Sequence, residues 1–303
     1  MPAGHRAGFV ALVGRPNVGK STLMNALLGQ VVAAVSPRPQ TTRRRQLGIL
    51  TLPQAQIVWV DTPGIHKPLH KLGAFMNEEA LETLTDADVL LFMVDASSPP
   101  TPEDEMVAQR LAGVRDAAIL LALNKADLVP AAERDAVQAR FLALLPGAEP
   151  HWLSASGGEG RDALLSAVIA RLPEGPPFYD PEQITDLYER EIAADLVRAA
   201  ALDLLRDEVP HAIAVRVDEY KERADQGAYI AATLLVEKDS HKGIVIGREG
   251  GMLKQIGTRA RQAIEAMSGR KVFLELRVKV NKNWRNDAAA LERLGFSRPK
   301  DNG

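Results

Sequence analysis

The chain has 303 residues, which is long enough for two domains. It contains no cysteine, and this excludes a disulfide scaffold and any cysteine-ligated zinc or iron–sulfur site. Hydrophobic residues make up 46% of the chain and charged residues 25%, as in ordinary globular proteins. No apolar run approaches the ~20 residues of a membrane helix, and no signal core follows Met1 to Arg6, so we expect a cytoplasmic protein.

The first half of the chain predicts a parallel α/β sheet. Apolar runs separated by helical patterns extend over 9–13, 57–60, 89–94, 118–123 and 151–153. Runs without polar alternation are typical of strands buried on both faces, as in parallel sheets. Ligands bind outside the carboxyl ends of such strands, so the polar residues that end the runs are expected to converge. Those residues are Asp61, Asp95, Asn124 and Ser154.

A phosphate-binding loop follows the first run. Residues 14–21 fit the pattern G-x-x-x-x-G-K-[ST] and lie between a predicted strand and a helix predicted over Lys20–Leu28. Glycines let backbone N–H groups approach phosphates, and the helix N-terminus adds positive potential. Lys20 is predicted to reach the β- and γ-phosphates and Ser21 to ligate Mg²⁺. The predicted nucleotide-binding residues of this loop are Gly14, Arg15, Pro16, Asn17, Val18, Gly19, Lys20, Ser21 and Thr22.

Two further segments point to a triphosphate and its metal ion. Residues 61–64 read Asp61-Thr62-Pro63-Gly64, where the acid can hold Mg²⁺ through water and the Gly64 N–H can meet the γ-phosphate. Upstream, a threonine hydroxyl can complete the Mg²⁺ shell and sense the γ-phosphate; we favour Thr42 over Thr41. The three arginines at 43–45 either contact RNA or a partner, or form a solvated loop.

The sequence Asn124-Lys125-Ala126-Asp127 favours guanine as the base. The Asp127 carboxylate can accept hydrogen bonds from guanine N1–H and the exocyclic amine, both absent from adenine. A buried Asp127 would therefore be left unpaired against ATP, at a cost of ~1–3 kcal/mol or more. Asn124 would brace the loop and Lys125 would lie over the base. The remaining residues predicted for the base pocket are Ser154, Ala155 and Ser156.

A proline-rich segment at 172–177 marks the domain boundary. We predict a P-loop nucleotide-binding domain over 1–173, a linker over 174–182 and a second domain over 183–303. The elements predicted for the second half are a helix over Pro181–Leu205, strands over His211–Tyr220 and Tyr229–Val236, a helix to Met267, a strand over Val272–Val280 and a short helix after Trp284. Phe273 and Trp284 are predicted to be core residues.

The second domain carries a candidate RNA-binding loop, Gly247-Arg248-Glu249-Gly250, between two predicted helices. KH domains clamp about four single-stranded nucleotides with such a loop. From 240 to 285 there are eleven Lys and Arg and three acids, a local charge of +8 in a chain whose remainder is −10. A tight helix–helix turn is the alternative interpretation. The predicted RNA-binding residues are Lys242, Ile246, Gly247, Arg248, Glu249, Gly250, Gly251, Met252, Lys254 and Arg259.

These motifs, in this order, resemble the Era-like family of translation-factor-related GTPases. The resemblance is carried by residues 39–45 (Pro-Gln-Thr-Thr-Arg-Arg-Arg), 61–68 (Asp-Thr-Pro-Gly-Ile-His-Lys-Pro), and Leu72-Gly73 with Met76-Asn77. It covers nearly the whole chain and implies a P-loop GTPase domain followed by a type II KH domain. It further implies a monomeric GTP-hydrolysing switch that binds 16S rRNA near its 3′ end, assists assembly of the small (30S) ribosomal subunit and is released after hydrolysis.

Hydrolysis is expected to be slow, because Ile65 stands where Ras-like enzymes carry a glutamine that positions water. The predicted catalytic residues are Lys20, Thr42, Gly64 and Asn17. The resemblance implies that Asn17 ligates K⁺ near the phosphates; alternatively, Asn17 only accommodates left-handed backbone geometry.

Three alternative roles have less support in the sequence. Ile65 keeps open a binding module without turnover. GTPases that help to modify tRNA carry extra sequence before the phosphate loop, whereas only 13 residues precede Gly14 here, so that role is not expected. No segment supports more than a peripheral contact with the inner face of the cell membrane.

Overall fold

The computed structural model describes residues 4–38, 40–223 and 227–296, so Pro39 of the threonine motif and the last residues of the predicted second domain lie outside it. The chain divides into two compact units. Unit 1 comprises the residues up to Ala33, Thr42–Lys67 and Met76–Asp186. Unit 2 comprises Ala34–Thr41, Pro68–Phe75 and the chain from Leu187 onward.

Unit 1 is built around a six-stranded sheet in the order β2-β3-β1-β4-β5-β6. All neighbouring strands are parallel except β2, which runs antiparallel to β3. The mostly parallel sheet confirms the predicted fold class. Its strands are β1 (Arg6–Val13), β2 (Gln46–Leu52), β3 (Ala55–Asp61), β4 (Val89–Asp95), β5 (Ala118–Asn124) and β6 (Glu149–Trp152). Its helices are α1 (Lys20–Leu28), α2 (Lys71–Asp86, which begins in unit 2), α3 (Pro102–Leu111), α4 (Arg134–Leu142) and α5 (Arg161–Ile169).

The central strands are buried on both faces, as their continuous apolar runs predict. All seven residues of β4 are buried. Leu91 and Met93 join a core cluster that includes Leu23 of α1 and Leu164 of α5. Their neighbours Leu90 and Phe92 point to the opposite face and join a second cluster with residues of α2, α3 and α4. Because helices cover both faces, only the strand ends remain open to a ligand.

The edge strand β2 was not among the predicted strands. The segment that bonds to it, just before α6, was wrongly predicted to be helical. The helix predicted over Pro181–Leu205 was wrong at its start, since α6 begins only at Glu189. The Ile184 carbonyl instead accepts a hydrogen bond from Ile49 N at 2.7 Å, and the Asp186 carboxylate accepts one from Leu47 N at 3.3 Å. This segment thus covers the free edge of β2, where an exposed ladder would promote aggregation.

Unit 2 contains a three-stranded sheet in the order β7-β8-β9, with β7 antiparallel and β9 parallel to β8. The predicted order helix–strand–strand–helix–helix–strand is confirmed, and β9 has the predicted bounds. Its elements are α6 (Glu189–Leu204), β7 (Ala214–Glu222), β8 (Ala228–Val236), α7 (Asp239–Ile246), α8 (Gly251–Ser268), β9 (Val272–Val280) and α9 (Ala288–Arg293).

The core of unit 2 lies between one face of this sheet and the helices α6 and α8, with Ala200, Ile256 and Leu234 among its members. Trp284 is fully buried and donates its indole N–H to the Ala212 carbonyl at 3.0 Å, which confirms it as a core residue. The prediction for Phe273 was wrong. Its ring is 55% exposed and stacks on Tyr229 with a centroid distance of 5.8 Å, because odd-numbered residues of β9 point away from the helices.

No helix in the described part of the chain is long and apolar enough to span a bilayer.

Candidate nucleotide site and nucleic-acid interface

The phosphate loop joins β1 to α1, and its glycines are required by close contacts. Gly19 caps α1 with φ +104°, and a Cβ there would lie 2.3 Å from the Asn124 side-chain nitrogen. The buried Lys20 ammonium donates to the carbonyls of Gly14 and Arg15, each at 3.1 Å. The loop therefore curls around the lysine side chain, and its amides line the N-terminus of α1.

Three oxygen-bearing side chains meet beside this lysine. The Asp61 carboxylate at the end of β3 accepts hydrogen bonds from Ser21 Oγ at 2.5 Å and Thr42 Oγ1 at 3.2 Å, and the two hydroxyls lie 3.1 Å apart. Thr41 turns away and donates to the Arg38 carbonyl at 2.9 Å. The structure thus brings together Ser21, Thr42 and Asp61, and it places Thr42 rather than Thr41 at the cluster.

Burial shifts the pKa values of both ionisable groups in this cluster. It lowers the pKa of Lys20 to about 8, because the hydration that the ammonium loses on burial outweighs the attraction of the nearby Asp61 carboxylate. Burial likewise raises the pKa of Asp61, although Lys20 and the two hydroxyls oppose the shift. The second carboxylate oxygen, Asp61 Oδ1, is buried and has no hydrogen-bond partner among the described residues. Hard oxygen donors around an unsatisfied carboxylate suit Mg²⁺.

The segment after Asp61 runs back against the phosphate loop. Thr62 is buried and donates to the Leu12 carbonyl at 2.7 Å, which fixes the segment to β1. A Cβ at Gly64 would lie 2.6 Å from Pro16 N, so only glycine permits this approach. Ile65 is 3% exposed and packs into the apolar cluster on one face of the sheet. Its side chain is therefore a core group.

The base loop is held by Asn124 at the end of β5. Its side-chain N–H donates to the Val18 carbonyl at 2.7 Å, and its oxygen accepts from Ala155 N at 2.9 Å. One amide thus joins the phosphate loop, the base loop and the Ser154–Ser156 segment. Asp127 follows on a short 3₁₀ turn, where it is exposed, so the burial that the base-selection argument assumes is not a feature of the protein alone.

Backbone conformation and exposure bear on the interpretations of Asn17 and of the arginines at 43–45. Asn17 is exposed and has φ +65°, the left-handed conformation that one of its two interpretations requires. Arg43 is 3% exposed and so does not belong to a solvated loop, whereas Arg45 is exposed.

Two acids contact the site beyond the predicted site residues: the sequence placed Asp95 only among the converging strand ends, and it did not single out Asp104. Asp95 ends β4 and pairs with Lys125 at 2.5 Å. Asp104 is fully buried at the start of α3 and accepts from Arg15 Nε at 3.1 Å. Asp95 is a strand-ending acid, and Thr101-x-x-Asp104 is a capping box, so both carried a signal. No feature of the sequence predicted the contact between Asp104 and Arg15, which are far apart along the chain.

The second candidate site is a groove between α8 and β9 of unit 2. Gly247 and Gly250 bracket the loop between α7 and α8 with φ +72° and +77°. A Cβ at Gly247 would lie 2.8 Å from Met252 N, so the loop can double back only with glycine there. Arg248 and Glu249 at its tip have side chains 94% and 87% exposed. The groove is about 390 Å³ and is lined by Gly250, Leu253, Lys254, Gly257, Thr258, Arg261, Leu274 and Leu276.

The predicted RNA-binding residues do not all face this groove. Lys254 lines it and is exposed. Arg259 lies on another side of α8 and forms an ion pair with Asp203 of α6. Arg261 was missed by sequence reasoning, although it lines the groove four residues from its partner Glu265. The helical period of 100° per residue carried that signal, because Lys254 and Arg261 are seven residues apart.

Two family models match the chain. The family model described as 50S ribosome-binding GTPase matches residues 9–125, and the KH domain model matches residues 208–285. The chain is 43% identical to the GTPase Era of Carboxydothermus hydrogenoformans over 97% of its own length and 98% of that protein's. It is 46% identical to the GTPase Era of Lacticaseibacillus paracasei, with 97% of each chain covered.

Among solved structures, the chain is similar to Era in complex with MgGDPNP and nucleotides 1506–1542 of 16S ribosomal RNA. The TM-score is 0.91 and the identity 39%, over 97% of this chain and 100% of that one. An Aquifex aeolicus Era variant bound to GDP·AlF₄⁻ gives a TM-score of 0.91 at 40% identity, with the same coverage.

The lowered pKa of Lys20 predicts a pH-dependent nucleotide affinity. Bound phosphates favour the ammonium, so binding takes up a proton once the free lysine deprotonates, and affinity falls as pH rises through about 8. We expect the Kd for GDP, measured by calorimetry, to rise about tenfold between about pH 7 and pH 9. The control is Lys20→Met, which should bind more weakly but without this step. A wild-type affinity that stays constant over the interval would contradict the assignment.

Proposed function

Because the chain belongs to the Era family of GTPases, we propose that it is a GTP-hydrolysing switch whose KH domain binds 16S rRNA near its 3′ end and assists assembly of the 30S subunit. The observation that carries this proposal is the similarity over 97% of the chain to Era in complex with MgGDPNP and nucleotides 1506–1542 of 16S rRNA. The cluster at Lys20 and the groove at Lys254 supply chemistry for both ligands in one chain.

Positive charge at the phosphate loop is in position before the nucleotide binds. The amides ahead of Lys20 and the N-terminus of α1 receive the phosphates, and the Lys20 ammonium exchanges its carbonyl partners for phosphate oxygens. Ser21, Thr42 and Asp61 would hold Mg²⁺, directly or through water, and the ion would neutralise phosphate charge. Asn124, Lys125 and Asp127 select guanine, with Ser154, Ala155 and Ser156 closing the pocket.

Hydrolysis proceeds without a glutamine at position 65, so electrostatic stabilisation carries the step. Lys20 and the Gly64 N–H stabilise charge on the γ-phosphoryl oxygens, and Thr42 reports the presence of the γ-phosphate. Asn17 would hold K⁺ through its side-chain oxygen, and the ion would add a positive charge near the phosphates. The loops around Thr42 and Asp61 lose order once phosphate leaves.

The RNA is bound as a single strand at the loop bracketed by Gly247 and Gly250. KH domains clamp about four nucleotides at such a loop. In the adjoining groove Leu274 and Leu276 offer apolar contact to bases, and Lys254 and the loop-tip Arg248 neutralise phosphates. Ile246 and Met252 are half-buried beside the loop and add apolar contact. Basic charge concentrated between 240 and 285 favours a nucleic-acid strand in this unit.

The domain assignment is a GTPase domain over 1–173, a linker over 174–182 and a KH domain over 183–303. We assign the protein to the cytoplasm as a monomer, with at most a peripheral contact to the inner face of the membrane. Its partner is the small ribosomal subunit, from which it is released after hydrolysis.

Replacing Asp127 with Asn tests the base pocket. The amide presents a donor to guanine N1–H, so we expect GDP affinity to fall about 100-fold and XDP affinity to rise. Asp135→Asn, the same change at an exposed acid of α4, is the control and should leave both affinities unchanged. If Asp127→Asn kept its preference for guanine, the pocket assignment would be wrong.

Replacing Lys254 with Ala tests the RNA groove. Loss of one phosphate contact should weaken binding of the 16S rRNA 3′ segment and reduce the slope of log K against log salt by about 0.7–0.9. Lys221→Ala is the control, because β7 is the strand farthest from β9 in the sheet. Equal effects of the two variants would show that only general charge matters.

The proposed K⁺ ligand predicts a specific monovalent-ion effect. At equal ionic strength, kcat for GTP should be at least about tenfold higher in K⁺ than in Na⁺, because the smaller ion does not match the site. Asn17→Ser should bring the two rates together. Equal wild-type rates in both salts would eliminate the ion from the mechanism.

A further inference from the structure

We propose that Asp95 is a positioning residue for the nucleotide: it holds Lys125 in the base loop and ties that loop to the phosphate loop through Arg15. This inference rests on the nucleotide site proposed above. Asp95 ends β4 and lies opposite Asn124 in the parallel register of β4 and β5. Its carboxylate therefore stands between the two loops that must contact opposite ends of one ligand.

The carboxylate is fully engaged and keeps one orientation. Oδ1 accepts from Ser97 N at 3.1 Å and from Ser97 Oγ at 2.6 Å, while Oδ2 accepts from Lys125 Nζ at 2.5 Å. The Asp95 side chain is only 12% exposed. Burial alone would raise its pKa, but the hydrogen bonds from Lys125 and Ser97 outweigh burial and hold the pKa below its usual value, so the group stays ionised.

Lys125 needs such an anchor. Its backbone has φ +66°, a conformation that strains a residue with a Cβ, and the 3₁₀ turn that carries Asp127 starts directly after it. The ion pair holds the Lys125 side chain against the end of β4. Asp95 thereby supports the turned conformation in which Asp127 is offered to the base.

The second link runs to the phosphate loop. Arg15 Nη2 lies 3.8 Å from Asp95 Oδ2 and 3.4 Å from Ser98 Oγ, and Arg15 Nε donates to Asp104 at 3.1 Å. Asp104 is itself fixed by Thr101, whose N and Oγ1 donate to it at 2.9 and 2.8 Å. The turn from 95 to 104 thus clamps Arg15, whose carbonyl contacts the Lys20 ammonium.

A kinetic double-mutant cycle tests this role. Asp95→Asn keeps the shape and an oxygen for Ser97 but removes the charge, so we expect the KM for GTP to rise about tenfold while kcat stays within about twofold. Lys125→Met should show the same split. Because both act through one ion pair, the double variant should be no more than about twofold worse than the poorer single variant. Ser97→Ala removes one hydrogen bond from the same carboxylate without changing charge and should leave KM within about twofold.

Three results would overturn the role of Asp95: an unchanged KM in Asp95→Asn, a loss confined to kcat, or effects of the two substitutions that multiply. If Asp95→Asn does not fold by circular dichroism, Lys125→Met tests the pair from its half-exposed partner, and an unchanged KM there contradicts the inference. A wild-type chain that binds no GTP would instead refute the proposed function, so the two failures are distinct.

Discussion

A buried ammonium beside a buried carboxylate constrains the nucleotide half of this protein. Lys20 and Asp61 both lose hydration at the strand ends, and their mutual attraction repays only part of that loss, as the opposite shifts of their pKa values show. Carbonyls of the phosphate loop and hydroxyls of Ser21 and Thr42 complete the balance. A magnesium-bound triphosphate would offer each group a stronger partner of opposite charge, so the arrangement of these groups suits that ligand.

Two side chains keep the two ends of that ligand site in register. Asn124 connects the phosphate loop to the base loop through neutral hydrogen bonds, and Asp95 connects the same loops through ion pairs with Lys125 and Arg15. Both residues end neighbouring parallel strands, whose register fixes their separation. The sheet therefore fixes the positions of Asn124 and Asp95, and their hydrogen bonds and ion pairs position the loops.

The KH unit meets a different physical demand. A flexible single strand of RNA presents repeating negative charge and unstacked bases. The groove at α8 and β9 is lined by Lys254, Arg261 and two leucines, which suit such a ligand. Close doubling of the chain at Gly247 exposes the loop tip, where Arg248 lies 3.8 Å from Glu249 and both side chains face solvent. The exposed stack of Phe273 on Tyr229 lies on the sheet face away from the helices and belongs to neither core.

The sequence by itself determined the sheet class, the strand ends and the phosphate, metal and base motifs, because continuous apolar runs and glycine spacing are local properties of the chain. It determined the order of elements in the KH unit for the same reason. Only the tertiary structure decided that Ile184 and Asp186 bond to β2 rather than extending α6, that Thr42 and not Thr41 meets Asp61, and that Arg259 pairs with Asp203. Each of these depends on contacts between residues far apart along the chain, which hydrophobic period and spacing do not encode.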